Sequence, residues 1–311
     1  MTDELSYQSA TALAQLMRAR EVTAVAVVEA HLRRIEAANG DVNAIVQFDA
    51  ERALAQAATA DGALARGEPA GPLHGVPFTV KDNLEAAGLA MAIGAPGRAG
   101  VVPAGDATAV VRLRAAGAIV LGKTNCPRYG GGIETDNEVY GRTNNPYDLA
   151  PTPGGSSGGE AAAIAAGFSP LGLGTDSGAS VRLPAHFCGL ACVKPTAGRV
   201  AVTGVLDDGG QIGALGDPRT QIGVLARAVA DVALALALIA GRTGATPASL
   251  PSPWPTPPRS ISIGCASPST PTTASRRRRR PRSPRWRAPR RRCARREPPS
   301  RRPRTPAAGT S

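Results

Sequence analysis

Apolar residues at intervals of three and four dominate the start of the chain. Over residues 8–39 this spacing predicts two amphipathic helices. Thr23 suits the N-cap of the second, because its hydroxyl can accept a first-turn amide, and Gly40 is the expected stop. The period then shortens. Residues 44–48, with Asn43 before them, read as a short strand, and Glu51 to Arg66 returns to an alanine-rich helical pattern closed by Gly67. Val76 to Val80 reads as a buried strand feeding the polar turn Lys81-Asp82-Asn83. A helix over 107–116 and a strand over 118–121 follow.

Residues 130–160 carry Gly, Asn, Thr and Pro with few periodic apolar positions. A loop of that length inside a compact domain is either functional or disordered. A small-residue helix over 160–167 comes next, then a second Gly/Ser/Thr-rich stretch, and a final helix over 227–241. Strands alternating with helices predict an α/β layered domain, and no internal repeat interrupts it.

Composition changes the picture at the end of the chain. The 311 residues hold 36 Lys+Arg against 24 Asp+Glu, a net charge of +12. Residues 259–311 contain 17 Arg and one acid, Glu297, so the first 258 residues carry 19 basic and 23 acidic side chains. The body is therefore slightly acidic, which excludes a fold-level nucleic-acid footprint. The basic stretch lacks Leu, Val, Phe and Tyr and cannot build a core. The expected organisation is a folded core over 1–250 and a disordered Pro/Arg-rich tail over 251–311. Its run Arg276 to Arg280 is read as solvated rather than as a specific polyanion site.

Five cysteines without a paired framework predict reduced thiols; Cys126, Cys188 and Cys192 are expected as small buried residues. The polar N-terminus has no apolar signal region, and the apolar run Val232–Ala240 is too short to span a bilayer. A cytoplasmic location without membrane attachment is the expectation.

Three short motifs mislead. Gly117 to Thr124 matches G-x-x-x-x-G-K-T, but its variable positions, Ala-Ile-Val-Leu, form a strand pattern rather than a phosphate-cradling loop, and Pro127 follows where a helix should run. Gly154 to Gly158 matches G-x-S-x-G, yet the only later histidine is His186, ten residues from Asp176 in one segment. A His-based triad fits poorly, and His186 reads instead as a packed or hydrogen-bonded residue. The arginine run is the third.

Serines in glycine-rich backbone remain, together with Lys81 in Val-Lys-Asp-Asn. Pro153 to Val200, PGGSSGGEAAAIAAGFSPLGLGTDSGASVRLPAHFCGLACVKPTAGRV, resembles the defining segment of the amidase signature family. HGVPFTVKDNL (74–84) and GKTNCP (122–127) resemble its other landmarks in the same order. The resemblance covers about residues 5–245. It implies a mixed central sheet covered by helices and hydrolysis of a linear carboxamide through a serine acyl-enzyme, without metal or cofactor. It also implies roles: Lys81 as base, Ser156 as bridging serine, Ser180 as nucleophile, in one hydrogen-bonded chain. The backbone amides of Ser177, Gly178, Ala179 and Ser180 would form the oxyanion hole, and a cis peptide would precede Ser156. Asp176 and Arg182 are expected to orient the loop.

The chemistry fits those residue types. A serine hydroxyl needs a neighbouring base to become a nucleophile. A lysine of pKa ~10.4 is neutral in only about one molecule in 2,500 at pH 7, so it must be buried or placed near positive charge. Ala179 departs from the family, which often has glycine there; a positive φ would strain it. The fold is also expected to be incomplete on its C-terminal side, with an unpaired sheet edge.

The expected partner is a small-molecule amide, without specific nucleic acid; a homodimer is compatible. Two alternatives stand beside the hydrolase. One is a glutaminase resembling the A subunit of the tRNA-dependent amidotransferase, ranked second because Arg128-Tyr129-Gly130 is unlike that protein. The other is a non-catalytic truncated remnant. The abrupt loss of Leu and Val after Arg259 to Gly264, which read as the start of a strand, predicts a one-base slip in GC-rich codons, and with it little turnover by the chain as written. Reading the gene in its other two frames after codon 264 should recover strand and helix periodicity; stop codons in both would refute the slip.

Overall fold

The computed structural model describes residues 2–206 and 219–241. Its helices are α1 (Thr2–Ser6), α2 (Ala10–Arg18), α3 (Ala24–Val42), α4 (Ala50–Ala65), α5 (Thr108–Ala115), α6 (Gly158–Ala165), α7 (Arg182–Phe187) and α8 (Val229–Ile239). The strands are β1 (Ile45–Phe48), β2 (Pro77–Lys81), β3 (Ile119–Thr124), β4 (Leu171–Asp176), β5 (Ala191–Val193) and β6 (Gln221–Ala226). They form one mixed sheet in the order β1-β3-β2-β4-β6-β5. The centre, β3-β2-β4, is parallel, while β1 and β6 run antiparallel to their neighbours. Every residue of β2, β3, β4 and β6 is buried, as expected of strands covered on both faces. The α/β architecture with a mixed sheet follows the sequence reading. The expected tail over 251–311, with the strand start at 259–264 and the arginine run, lies outside the described residues.

Most of the periodic segments form where the pattern puts them. Thr23 caps α3 by accepting from Ala26 N at 3.0 Å, and Gly67 adopts φ +80° just beyond α4. Gly40 does not stop α3. The helix continues to bury Val42 and ends at Asn43, which takes the left-handed conformation and donates to Tyr140 O and Arg142 O. Tertiary contacts outweigh the local glycine signal. The strand expected at 118–121 extends to Thr124, which confirms that Gly117–Thr124 is no phosphate loop and carries Lys123 into the sheet.

The larger omission is β4. Leu-Gly-Leu-Gly-Thr-Asp reads as a glycine-rich loop, yet it forms a central strand. Leu171 and Leu173 fill the core, and the intervening glycines admit α6 and the signature loop to the opposite face. Glycine weakens a strand by propensity but is required where another segment approaches this closely. Arg227 joins distant pieces, donating to Ile164 O and Ser169 O near the end of α6 and to Ser6 O and Gln8 O near the N-terminus. Asp231 caps α2 through Ala10 N and Thr11 N, both at 2.9 Å.

His31 gives the fold a pH dependence. It is fully buried in α3, its Nδ1 donates to Val27 O at 2.8 Å, and its Nε2 has no hydrogen-bond partner among the described residues. Burial lowers its pKa to about 4, opposed by the Val27 carbonyl and assisted by Arg227. The unfolded chain takes up this proton near pH 6.5 and the folded chain only near 4, so stability falls as pH drops through that window, by about 3 kcal/mol. Urea titrations at pH 7 and pH 4 should show this loss shrinking by about that amount in His31→Leu. An equal loss in both proteins would show that the histidine does not drive it.

Candidate active site

Lys81 is the last residue of β2 and is fully buried. The turn after it is fixed from the neighbouring strand: Lys123 Nζ donates to Asp82 O at 3.2 Å and to Leu84 O, and lies 3.7 Å from Asp82 Oδ1. Asp82 Oδ2 accepts from Ile93 N at 2.6 Å. Both side chains are inaccessible, so burial pushes the Asp82 carboxyl up and the Lys123 amine down, each opposed by the other's charge. The lysine of the false phosphate motif thus holds the turn that carries Lys81 and Asn83.

Lys81 Nζ donates to Ser156 Oγ at 2.7 Å and to Thr175 Oγ1 at 2.8 Å. Asn83 Nδ2 donates to the same Thr175 hydroxyl at 3.0 Å and to Leu206 O at 3.0 Å. Ser156 follows a cis peptide from Gly155 and is buried. The next residue, Ser157, occupies the N-cap position of α6. Ser157 ties the two glycine-rich segments together, donating from its amide to Ser180 O at 3.0 Å and pairing through its hydroxyl with the Thr175 backbone.

Ser180 is half-buried and lines, with Ser156, Ser177, Thr175 and Asn83, a small cleft. The expected chain from Lys81 through Ser156 to Ser180 has its first link formed. No hydrogen bond joins the two serine hydroxyls among the described residues. The loop fixes the Ser180 backbone, through Ser157, and places the residue on the wall of the cleft.

Asp176 organises that loop. It accepts from the amides of Ala179 (2.8 Å), Val181 (3.0 Å) and Arg182 (3.2 Å), and Arg182 Nε and Nη2 grip it bidentately. Burial alone would raise its carboxyl; the guanidinium and the three amides outweigh that and hold it below the usual range. This arrangement amends the expected oxyanion hole. The Ala179 amide is committed to Asp176, so Ser177, Gly178 and Ser180 supply the amides of the expected set that have no protein acceptor among the described residues.

Comparison with known proteins is consistent with these landmarks. The family model described as Amidase matches residues 26–278. This chain belongs to the amidase family. It is 43% identical over 252 residues to the A subunit of the glutamyl-tRNA(Gln) amidotransferase of Moorella thermoacetica, covering 80% of this chain and 50% of that protein. The corresponding protein of Streptomyces coelicolor is 42% identical over 247 residues, covering 79% of this chain and 48% of its own length. Among solved structures, the peptide amidase of Stenotrophomonas maltophilia matches with a TM-score of 0.70 and 35% identity, over 76% of this chain and 49% of its own. The 6-aminohexanoate cyclic dimer hydrolase matches with a TM-score of 0.71 and 34% identity, over 79% of this chain and 49% of its own. The chain spans about half the length of the curated relatives it matches.

Several residues at the candidate site were not singled out by the sequence. Thr175, Asn83, Ser157 and Lys123 all lie inside or beside the recognised segments, so the signal was present, but which side chains meet depends on strand pairing. Two expectations need correction. His186 is exposed on α7, its ring 5.9 Å from that of Phe187, and is not packed in the core. Cys126 and Cys188 are buried as expected, whereas Cys192 is only half-buried on the sheet-edge strand β5.

Ala179 has φ +82°, a conformation that glycine adopts without strain. Ala179→Gly should therefore stabilise the protein by roughly 0.5–1 kcal/mol, the relief of left-handed strain outweighing the added unfolded-chain entropy. The same change at exposed Ala58 in α4 should instead destabilise by about 1 kcal/mol. Chemical denaturation of both variants checks the opposite signs.

Proposed function

We propose that this site is that of an amidase-type hydrolase acting on linear carboxamides. The observation that carries the reading is the buried Lys81–Ser156 hydrogen bond at 2.7 Å, opening onto the cleft that Ser180 lines. In the proposed reaction Ser180 Oγ attacks the amide carbon while its proton passes to Ser156, whose own proton passes to neutral Lys81. The amides of Ser177, Gly178 and Ser180 stabilise the oxyanion of the tetrahedral intermediate. Lys81 then returns a proton through Ser156 to the leaving nitrogen, the C–N bond breaks, and an acyl-Ser180 ester remains. Water activated by the same relay hydrolyses the ester, releasing carboxylate and restoring Ser180.

A second reading, a glutaminase of the amidotransferase type, is favoured by the 42–43% identity to the amidotransferase relatives. Ammonia release from free glutamine, measured beside release from small alkyl and aryl amides, separates the two.

A fluorophosphonate probe tests the nucleophile directly. Labelling should map to Ser180 and vanish in Ser180→Ala together with amide turnover. Lys81→Ala should lower turnover by roughly 10²–10⁴-fold, with a smaller loss for Ser156→Ala. A folded sample that is never labelled would overturn the hydrolase and favour a non-catalytic remnant.

A further inference from the structure

A glycine stands beside the serine whose hydroxyl is assigned to the leaving nitrogen. Gly130 lines the cleft with Ser156, Asn83 and Ser180. A Cβ built on Gly130 would stand 3.9 Å from Ser156 Oγ and 3.9 Å from Asn83 Nδ2, with no other described atom outside its chain neighbours within 4 Å. A side chain at this position would therefore project alongside Ser156, into space that no described protein group fills. Two nearby glycines differ. A Cβ on Gly155 would collide with the backbone of Gly132, Ile133 and Glu134 at 2.8–2.9 Å, and one on Gly159 would collide with Asn125. Those glycines admit a neighbouring segment, whereas Gly130 keeps part of the cleft clear.

The wall that carries Gly130 is held at both ends. Tyr129 N donates to Ile93 O at 2.8 Å, Gly130 N to Pro127 O at 2.8 Å and Gly131 N to Arg128 O at 3.1 Å. The Tyr129 side chain packs on the apolar cluster of Met91, Ile93 and Cys126. Further along, Thr135 Oγ1 donates to Gly154 O at 2.9 Å and accepts from Gly158 N at 3.1 Å, which ties the loop to the segment holding Ser156. Tyr129 and Gly130 both adopt positive φ, +54° and +73°; for the tyrosine this is an unfavourable conformation that the surrounding bonds maintain. The wall cannot retreat from a bulky group at position 130 without breaking these bonds.

The proposed reaction says what would use this space. Ser156 returns a proton to the leaving nitrogen, which must therefore come within about 2.6–3.2 Å of Ser156 Oγ. An atom bonded to that nitrogen, about 1.5 Å further on, lies roughly 3.5–4 Å from the same oxygen, in the shell where a Gly130 Cβ would stand. The acyl carbon is one such atom and must meet Ser180; a substituent on the nitrogen is the other. We propose that the space at Gly130 seats the substituent on the leaving nitrogen, so that the site accepts secondary amides as well as primary ones. This rests on the reading of the site as that of an amidase-type hydrolase. The steps balance as before, with an amine in place of ammonia: the C–N bond breaks, the nitrogen takes a proton through Ser156, and the acyl group stays on Ser180 until water cleaves the ester. Gly130 determines specificity and makes no bond in the reaction. A glutaminase, which releases only ammonia, has no use for such a seat.

The test gives the full chain propionamide and benzamide, each beside its N-methyl derivative, and follows release of the common acid. The parent should hydrolyse both members of a pair. Gly130→Ala places a methyl group in the shared shell, and the ratio of kcat/KM for the N-methyl amide to that for the primary amide should fall by about tenfold or more, the scale of one methyl group in a fitted site. Both amides are measured on one sample, so a smaller folded fraction caused by alanine at positive φ leaves the ratio unchanged. Gly130→Asn, whose side chain is larger but tolerates the left-handed conformation, should lower the ratio further. Equal losses on both amides overturn the inference, because an acyl-side or purely structural role affects the pair alike. If neither variant folds, the parent decides: hydrolysis of an N-methyl amide supports the seat, and its absence overturns it. A parent that fails on the N-methyl amides yet hydrolyses a primary amide, or labels at Ser180, leaves the hydrolase reading standing; one that does neither defeats that reading as well.

Discussion

Keeping the Lys81 amine away from water is the constraint on which the site depends. A solvated lysine is an ammonium ion with no affinity for a serine proton. Here the amine ends a strand that is buried along its whole length and meets the hydroxyls of Ser156 and Thr175 at hydrogen-bond distance. Position follows from the same burial. Parallel strands on both sides of β2 fix its end, and Lys123 fixes the turn beyond it through two backbone carbonyls. The sheet therefore does more than support the site from a distance, since its central strands contribute Lys81 and Thr175.

A second buried ion organises the other half of the site. Asp176 collects three loop amides and one guanidinium, and this fully satisfied carboxylate bends residues 177–182 around itself. The bend brings Ser177 and Ser180 to the wall of the cleft. It also places Ala179 at φ +82°, where a Cβ is unwelcome. Local strain and a firmly held carboxylate are two consequences of the same geometry, and the hydrogen bonds at Asp176 keep the strained residue in place.

Matching residues to known proteins gives the family, while the geometry limits what the site can be. The P-loop reading fails because Lys123 points inward to two carbonyls in a strand. A His-based triad fails because His186 is exposed on α7 while Ser156 hydrogen-bonds to a lysine. Each decoy matched a spacing and lacked the surroundings that give the spacing its chemistry.

The sequence by itself determined the periodic elements and the residues with chemical potential. Helices α2 to α6 and α8, strands β1 to β3, the Thr23 cap and the segments holding Lys81, Ser156 and Ser180 were legible because their signals are local: apolar spacing, a capping hydroxyl and contiguous motifs. Only tertiary structure decided the rest. Strand β4 was hidden because its glycines deny it strand propensity, and they are glycines because Glu160 and Ser157 occupy the space beside them. Gly40 could not end α3 once burial of Val42 favoured another turn. The placing of Glu160 between Thr79 and Thr124 depends on segments that meet in space while remaining far apart in the chain. Hydrogen bonds and burial act over a few ångströms, so chemistry shared between distant segments is fixed only when the sheet has brought them together.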